Sequence, residues 1–282
     1  MTQPEYVFHR VEDARELERL RAIEQVCDAA TRRRLLATGV KAGWTCLEVG
    51  PGAGSVLGWM SEVAGPTGRV AAVDISTKFL GPQQPRNVEV RQADVRTAPL
   101  PEAAFDLVHA RYVLIHLPDY QTALSKMLAC LKPGGWLVLE EPDFSASRGI
   151  TGEAGQLASV AKVNQAIKTM YDMLGMDDAL GLKLPSVLQH RGMRKLTVEY
   201  EAPLSSGGSG MATMMKMSAE QLREKYLATG GRRSARIPAA RSATPPRCAA
   251  SPASSRPTGG SRAMAWWPSP PRWIRSVRSP NV

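Results

Sequence analysis

Five short apolar runs, at 45–49, 69–74, 88–92, 105–109 and 136–141, alternate with helix-like or loop-like segments between Thr45 and Glu141. Such alternation predicts a parallel sheet with crossover helices. Upstream, Leu17, Leu20, Ile23 and Val26 recur at spacings of three within an Arg-, Glu- and Leu-rich stretch, which predicts one or two amphipathic helices between Val11 and Gly39. Asp119 is a good cap for a helix carrying Ala123, Leu124, Met127, Leu128 and Leu131 up to the breaker Pro133-Gly134-Gly135. Beyond Gly152 the pattern predicts a helix to about Leu174 and a short helix opened by Leu184-Pro185 and ending near Gly192. A strand at 194–200 and a flexible loop from Ser205 to Gly210 follow, then a helix capped by Ser218 with Gln221 and closing at Gly230.

The first apolar run ends in Leu47-Glu48-Val49-Gly50-Pro51-Gly52-Ala53-Gly54, and Ser55-Val56-Leu57 can begin a helix. Glycines let backbone turn tightly and approach a ligand, while a helix start offers free N–H groups and the positive end of its dipole. A nucleotide-type ligand is one reading; a plain strand-to-helix turn is the other. Asp74 ends the second run, where a carboxylate can accept hydrogen bonds from both ribose hydroxyls of a ligand lying across the strand ends. Asp94 follows the third run and suits either an exocyclic amino group on a purine or an ordinary turn.

The formal charge of +10 would by itself suggest a polyanionic partner. Its location argues otherwise, because ten arginines and no acid lie in 231–282, which leaves 26 basic and 26 acidic residues in the first 230. A neutral body argues against nucleic acid as a partner. The polar start Met-Thr-Gln-Pro-Glu-Tyr lacks the features of a secretory signal, and no stretch approaches a membrane span. Cys27, Cys46, Cys130 and Cys248 are scattered, as in a reducing cytoplasm, and His9, His109 and His190 join no metal-ligand spacing, so no metal is expected.

The ordered set of Glu-x-Gly-x-Gly-x-Gly, Asp74, Gln92-Ala93-Asp94, Phe105-Asp106-Leu107-Val108 and Leu131-Lys132-Pro133-Gly134-Gly135 resembles the class I S-adenosylmethionine-dependent methyltransferases. The likeness is to the small-molecule branch that includes ubiquinone and menaquinone methylases; it is strong over about 40–145 and weak to 230. The resemblance implies an α/β, Rossmann-like, doubly wound, mostly parallel sheet with amino-terminal helices. It implies a helical cap over 1–44, a methyltransferase domain over 45–230 and a substrate-side region over 150–217. It also implies S-adenosyl-L-methionine as cofactor and a small organic methyl acceptor. Gly50, Gly52 and Gly54 would surround its methionine part, with Glu48 near the amino group; Asp74 would hold the ribose; Asp94 and the backbone of Val95 would read the adenine against Ile75. Arg111 and His116 follow the fourth strand, where the methyl group should be presented, and Tyr6 would belong to a segment closing over the cofactor.

Methyl transfer from a sulfonium needs positioning of the acceptor and exclusion of water, and a base only where the acceptor must lose a proton. His116 is the base candidate, since imidazole titrates near neutrality; a histidine bonded to a neighbouring loop is the competing reading, and Arg111 could pair with an acid such as Glu141. Met170, Met173 and Met176, with Met211, Met214, Met215 and Met217, read as core or as an adaptable pocket, core being favoured. An NAD-type oxidoreductase is the alternative, although the third glycine comes one residue too early for its fingerprint. In the related family an antiparallel seventh strand closes the sheet, yet 231–282 is Arg-, Pro-, Ser- and Ala-rich, reads as disordered, and leaves that final strand missing or altered. A frameshift near codon 230 would produce such a tail, and with it a catalytically dead relative; a genuine arginine-rich arm is the rival reading.

Overall fold

The computed structural model describes residues 13–202 and 204–228 and the backbone of 272–278. Helix α1 (Asp13–Ala37) leads into β1 (Thr45–Val49), α2 (Ser55–Ala64), β2 (Arg69–Asp74), β3 (Val88–Gln92) and β4 (Phe105–Arg111). A 3-10 turn at Leu114–His116 precedes α3 (Tyr120–Cys130) and β5 (Leu131–Glu141). Then come α4 (Ala154–Leu174), α5 (Leu180–His190), β6 (Thr197–Tyr200), α6 (Gly210–Gln221), α7 (Arg223–Ala228) and β7 (Arg272–Arg278). The strands form one sheet in the order β3-β2-β1-β4-β5-β7-β6, with β1 to β5 parallel. This is the expected Rossmann-like α/β architecture. The chain winds outward from β1 through β2 to β3 and then crosses back to β4 on the other side of β1, and an open sheet of this kind has its crevice at the carboxyl ends of the strands where the order reverses.

Alternation along each strand divides the core in two. Leu47, Val49, Val108, Ala110, Leu137 and Leu139 belong to the cluster covered by α3, α4 and α5. Cys46, Val70, Ala72, Leu107 and Val138 belong to the other, against Val56, Leu57, Met60 and Ala64 of α2 and Leu35 of α1. Of the expected methionines, Met170, Met176 and Met214 are buried while Met173 is exposed. The leading core reading therefore holds for three of them.

Two helix starts differ from the sequence reading. The final helical region begins at α6, where Ser209 accepts the Ala212 N–H at 3.3 Å; Ser218 lies inside that helix and donates to the Met214 carbonyl. Helix α5 begins at Leu180 rather than at Leu184-Pro185, with Pro185 tolerated inside it. The strand expected at 194–200 is confined to β6.

The expectation of a missing closing strand is corrected. β7 pairs antiparallel with β5 from Trp136↔Arg278 to Glu141↔Arg272, and antiparallel with β6 from Thr197↔Arg275 to Tyr200↔Arg272. Averaging over 231–282 hid a short strand signal, because Trp273, Ile274 and Val277 are strand-favouring residues set between Pro271 and Pro280. The bare sheet edge that motivated the inactive reading is thus filled. The remainder of 231–282, and residues 1–12 with Tyr6, lie outside the described residues. No described helix is long and apolar enough to cross a membrane. No group of three or more His, Cys, Asp or Glu among the described residues could hold a metal ion.

Candidate functional site

The glycine loop leaves β1 through a series of left-handed backbone angles: φ is +71° at Gly50, +60° at Gly52 and +95° at Gly54. Glycine adopts these at no steric cost. A Cβ on Gly50 would stand 2.5 Å from Val113 Cγ2, so the loop and the segment after β4 are in direct apposition. The Gly50 N–H donates to the Val73 carbonyl at 2.9 Å, tying the loop to the end of β2. Replacing Gly50 by Ala combines strain with a clash, and the melting transition should fall by roughly 1–3 kcal/mol in stability. An unchanged denaturation curve would mean that Val113 yields freely.

Asp74 ends β2 beside this loop. Burial raises its carboxyl above the ordinary aspartate value, and backbone N–H groups of Ser76, Gly52 and Ile75 pull it back toward the charged form; the Ser76 contact is 3.0 Å. The next residue, Ile75, is 47% exposed. Asp94 stands two residues beyond Gln92, the register partner of Asp74, so β2 and β3 bring both carboxylates to one edge. Its oxygens are engaged by Arg96 at 2.5 to 3.0 Å, which holds it below the usual aspartate range. Val95 between them is buried.

After β4 the chain turns sharply at Tyr112, whose φ is +57°. Glu141, at the end of β5, accepts the N–H groups of Val113, Leu114 and Ile115 at 3.0, 2.7 and 3.1 Å. Burial pushes its carboxyl up to about 8 against those three donors. Arg111 does not pair with Glu141: it donates to Asp28 at 3.0 Å and to Thr31 at 2.9 Å, both on α1. Burial and the nearby Arg19 cation lower the His116 imidazole to about 3. It therefore stays neutral and is a weak proton acceptor near neutrality, which counts against a base role.

Sequence reasoning missed how much of α1 enters the site. Glu24 accepts the Ser55 N–H at 3.0 Å, capping α2, and Leu20 lies over Gly52. The inward stripe of α1 is largely polar, with Glu16, Arg19, Thr31 and Arg34 buried alongside Ile23, Cys27 and Leu35. Of the residues spaced by three that signalled this helix, only Ile23 is fully buried. Also missed were His109 and Glu140, buried with Glu48 in the sheet. The available signal was charge inside apolar strands: Leu-Glu-Val, Val-His-Ala and Leu-Glu-Glu.

Residues 47–139 match the family model of a methyltransferase domain. A ubiquinone/menaquinone biosynthesis C-methyltransferase of Pseudomonas fluorescens is 36% identical over 112 residues, which are 37% of this chain and 44% of that protein. Methyltransferase str3 of Strobilurus tenacellus is 38% identical over 101 residues, 35% of each chain. The chain spans between 33% and 45% of the length of the curated relatives it matches. Among solved structures, a Bacillus halodurans protein described as a methyltransferase superposes with a TM-score of 0.53 at 15% identity, covering 89% of this chain and 98% of that one. A Haemonchus contortus phosphoethanolamine N-methyltransferase 2, solved with S-adenosyl-L-methionine, has a TM-score of 0.52 at 14% identity, over 93% and 57% of the two chains.

Proposed function

We propose that this chain is a class I S-adenosylmethionine-dependent methyltransferase that transfers a methyl group to a small organic acceptor by in-line displacement, a reading supported by its wound sheet and by the methyltransferase-domain match over residues 47–139. One observation carries the reading: the Asp74 carboxylate stands against the Gly50–Gly54 bend, where the three glycines leave backbone uncovered by any Cβ. That pairing suits an adenosyl ligand, with the carboxylate on the ribose hydroxyls and the loop beneath the amino-acid end. Exposed Ile75 supplies an apolar surface for an adenine ring. Asp94, already bonded to Arg96, keeps acceptor capacity toward an exocyclic amino group, since a carboxylate has about four lone-pair sites.

When bound, the cofactor supplies a methyl carbon on a sulfonium, a leaving group already activated by charge. The protein's part is to hold the acceptor's lone pair in line and keep water out. Helix α1 over the loop and the Tyr112–Ile115 turn beside it would do both. The Glu141 clasp fixes that turn. With His116 held neutral and weakly basic, an acceptor that must lose a proton would release it to solvent or to another group.

Calorimetric titration of the full chain with S-adenosyl-L-methionine tests the reading, and micromolar binding is expected. Binding of NADH, seen as a fluorescence change, with no heat from S-adenosyl-L-methionine would replace it with the oxidoreductase alternative.

A further inference from the structure

We propose that His109 is a positioning residue that holds the Glu48 carboxylate toward the cofactor's amino group, with α1 completing the hold from the other side. This rests on the function proposed above. His109 and Glu48 are register partners on adjacent parallel strands and lie on the same sheet face. His109 Nδ1 is 2.8 Å from Glu48 Oε2, and its Nε2 is 3.3 Å from Glu140 Oε1. Both ring nitrogens thus face carboxyl groups, and with both of those ionised only the imidazolium can donate to each, since neutral histidine has one N–H. Burial opposes the charge, but Glu48 and Glu140 prevail and raise the ring to about 9.

The hold extends outward. Glu140 Oε2 accepts from Thr31 of α1 at 2.8 Å and lies 3.9 Å from the Arg34 guanidinium. Arg34 in turn reaches Glu199 in β6 at 3.0 Å and Glu201 just after it at 2.6 Å, while Arg111 binds Thr31 and Asp28. The groups facing His109 are therefore Glu48 of β1 and Glu140 of β5, backed by Arg111 of β4 and by Asp28, Thr31, Arg34 and the Cys27 thiol of α1. A buried ionic cluster is seldom a better source of stability than apolar packing of the same volume, and the best attested use of such groups is to fix one arrangement. Here the element fixed is Glu48, two residues before Gly50. One of its oxygens is committed to His109, and the other has no hydrogen-bond partner among the described residues.

The test is titration of S-adenosyl-L-methionine into the full wild-type chain, H109L and H109N between pH 7 and 10, with melting curves for each. Asparagine keeps an N–H donor near the Nδ1 position but cannot carry charge. At pH 7.5 H109L should bind roughly tenfold or more weakly, as expected for loss of a charge-assisted bond, and H109N should recover the part that a neutral donor supplies but not the part that needs the charge. Wild-type affinity should decline as pH rises through about 9, where His109 loses its proton. The cofactor's α-amino group titrates at about 8, so the difference between wild type and H109N is the quantity read. That difference should widen toward low pH in favour of wild type. Parallel profiles for the two overturn the proposal, and they do so even where H109L fails to fold. No binding by wild type at any pH overturns instead the cofactor reading on which it stands.

Discussion

Asp74→Ala is expected to weaken S-adenosyl-L-methionine binding by at least about a hundredfold while the chain stays folded. Two hydrogen bonds between the carboxylate and ribose hydroxyls would be lost, each worth about 1.5–3 kcal/mol, where 1.4 kcal/mol is tenfold in affinity. The same carboxylate receives the N–H groups of Ser76, Gly52 and Ile75, so its loss also slackens the loop from which the glycines act. Its position at a strand end, half-buried, keeps the stability penalty modest. Asp74→Asn retains one acceptor oxygen and should fall between the two. Calorimetry paired with a thermal melt reads both effects, and an Ala variant that binds like wild type would remove Asp74 from the site.

Glu141→Ala should be the most destabilising single change at the site, lowering stability by about 3–5 kcal/mol. It strands the N–H groups of Val113, Leu114 and Ile115, each costing about 1–3 kcal/mol if left without an acceptor in a buried place. Removing a carboxylate whose charged form is disfavoured by burial offsets part of this. For a domain of this size the drop corresponds to roughly 10 °C in melting temperature. Glu141→Gln keeps an oxygen in place and should lose much less. A melt of the Ala variant within about 1 °C of wild type would mean that water replaces the carboxylate and that the turn needs no clasp.

Legibility differed from element to element. The five parallel strands, the glycine bend and the carboxylates after β2 and β3 were readable because each is a local pattern: apolar runs, tight turns and capping residues. β7 was unreadable for the opposite reason, since seven strand-forming positions were diluted by a long Arg- and Pro-rich context. Helix α1 was found but its inward face was not, because the periodicity of Leu17, Leu20 and Val26 is apolar and the stripe that packs inward is mostly polar. Glu16 and Arg19 pair within the helix at 2.7 and 2.9 Å, but Thr31 and Arg34 find their acceptors on β5 and at the end of β6, and nothing within α1 announces those.

The local order of the chain determined a wound α/β sheet, a glycine-rich bend at the end of β1 and an acid beside it. Tertiary structure alone decided which charges meet. Glu48 and His109 are 61 residues apart, and Thr31 and Glu140 are 109 apart. Backbone turns and apolar alternation act between neighbours in sequence, whereas the partner of a buried charge depends on strand order and register, which exist only once the sheet has formed.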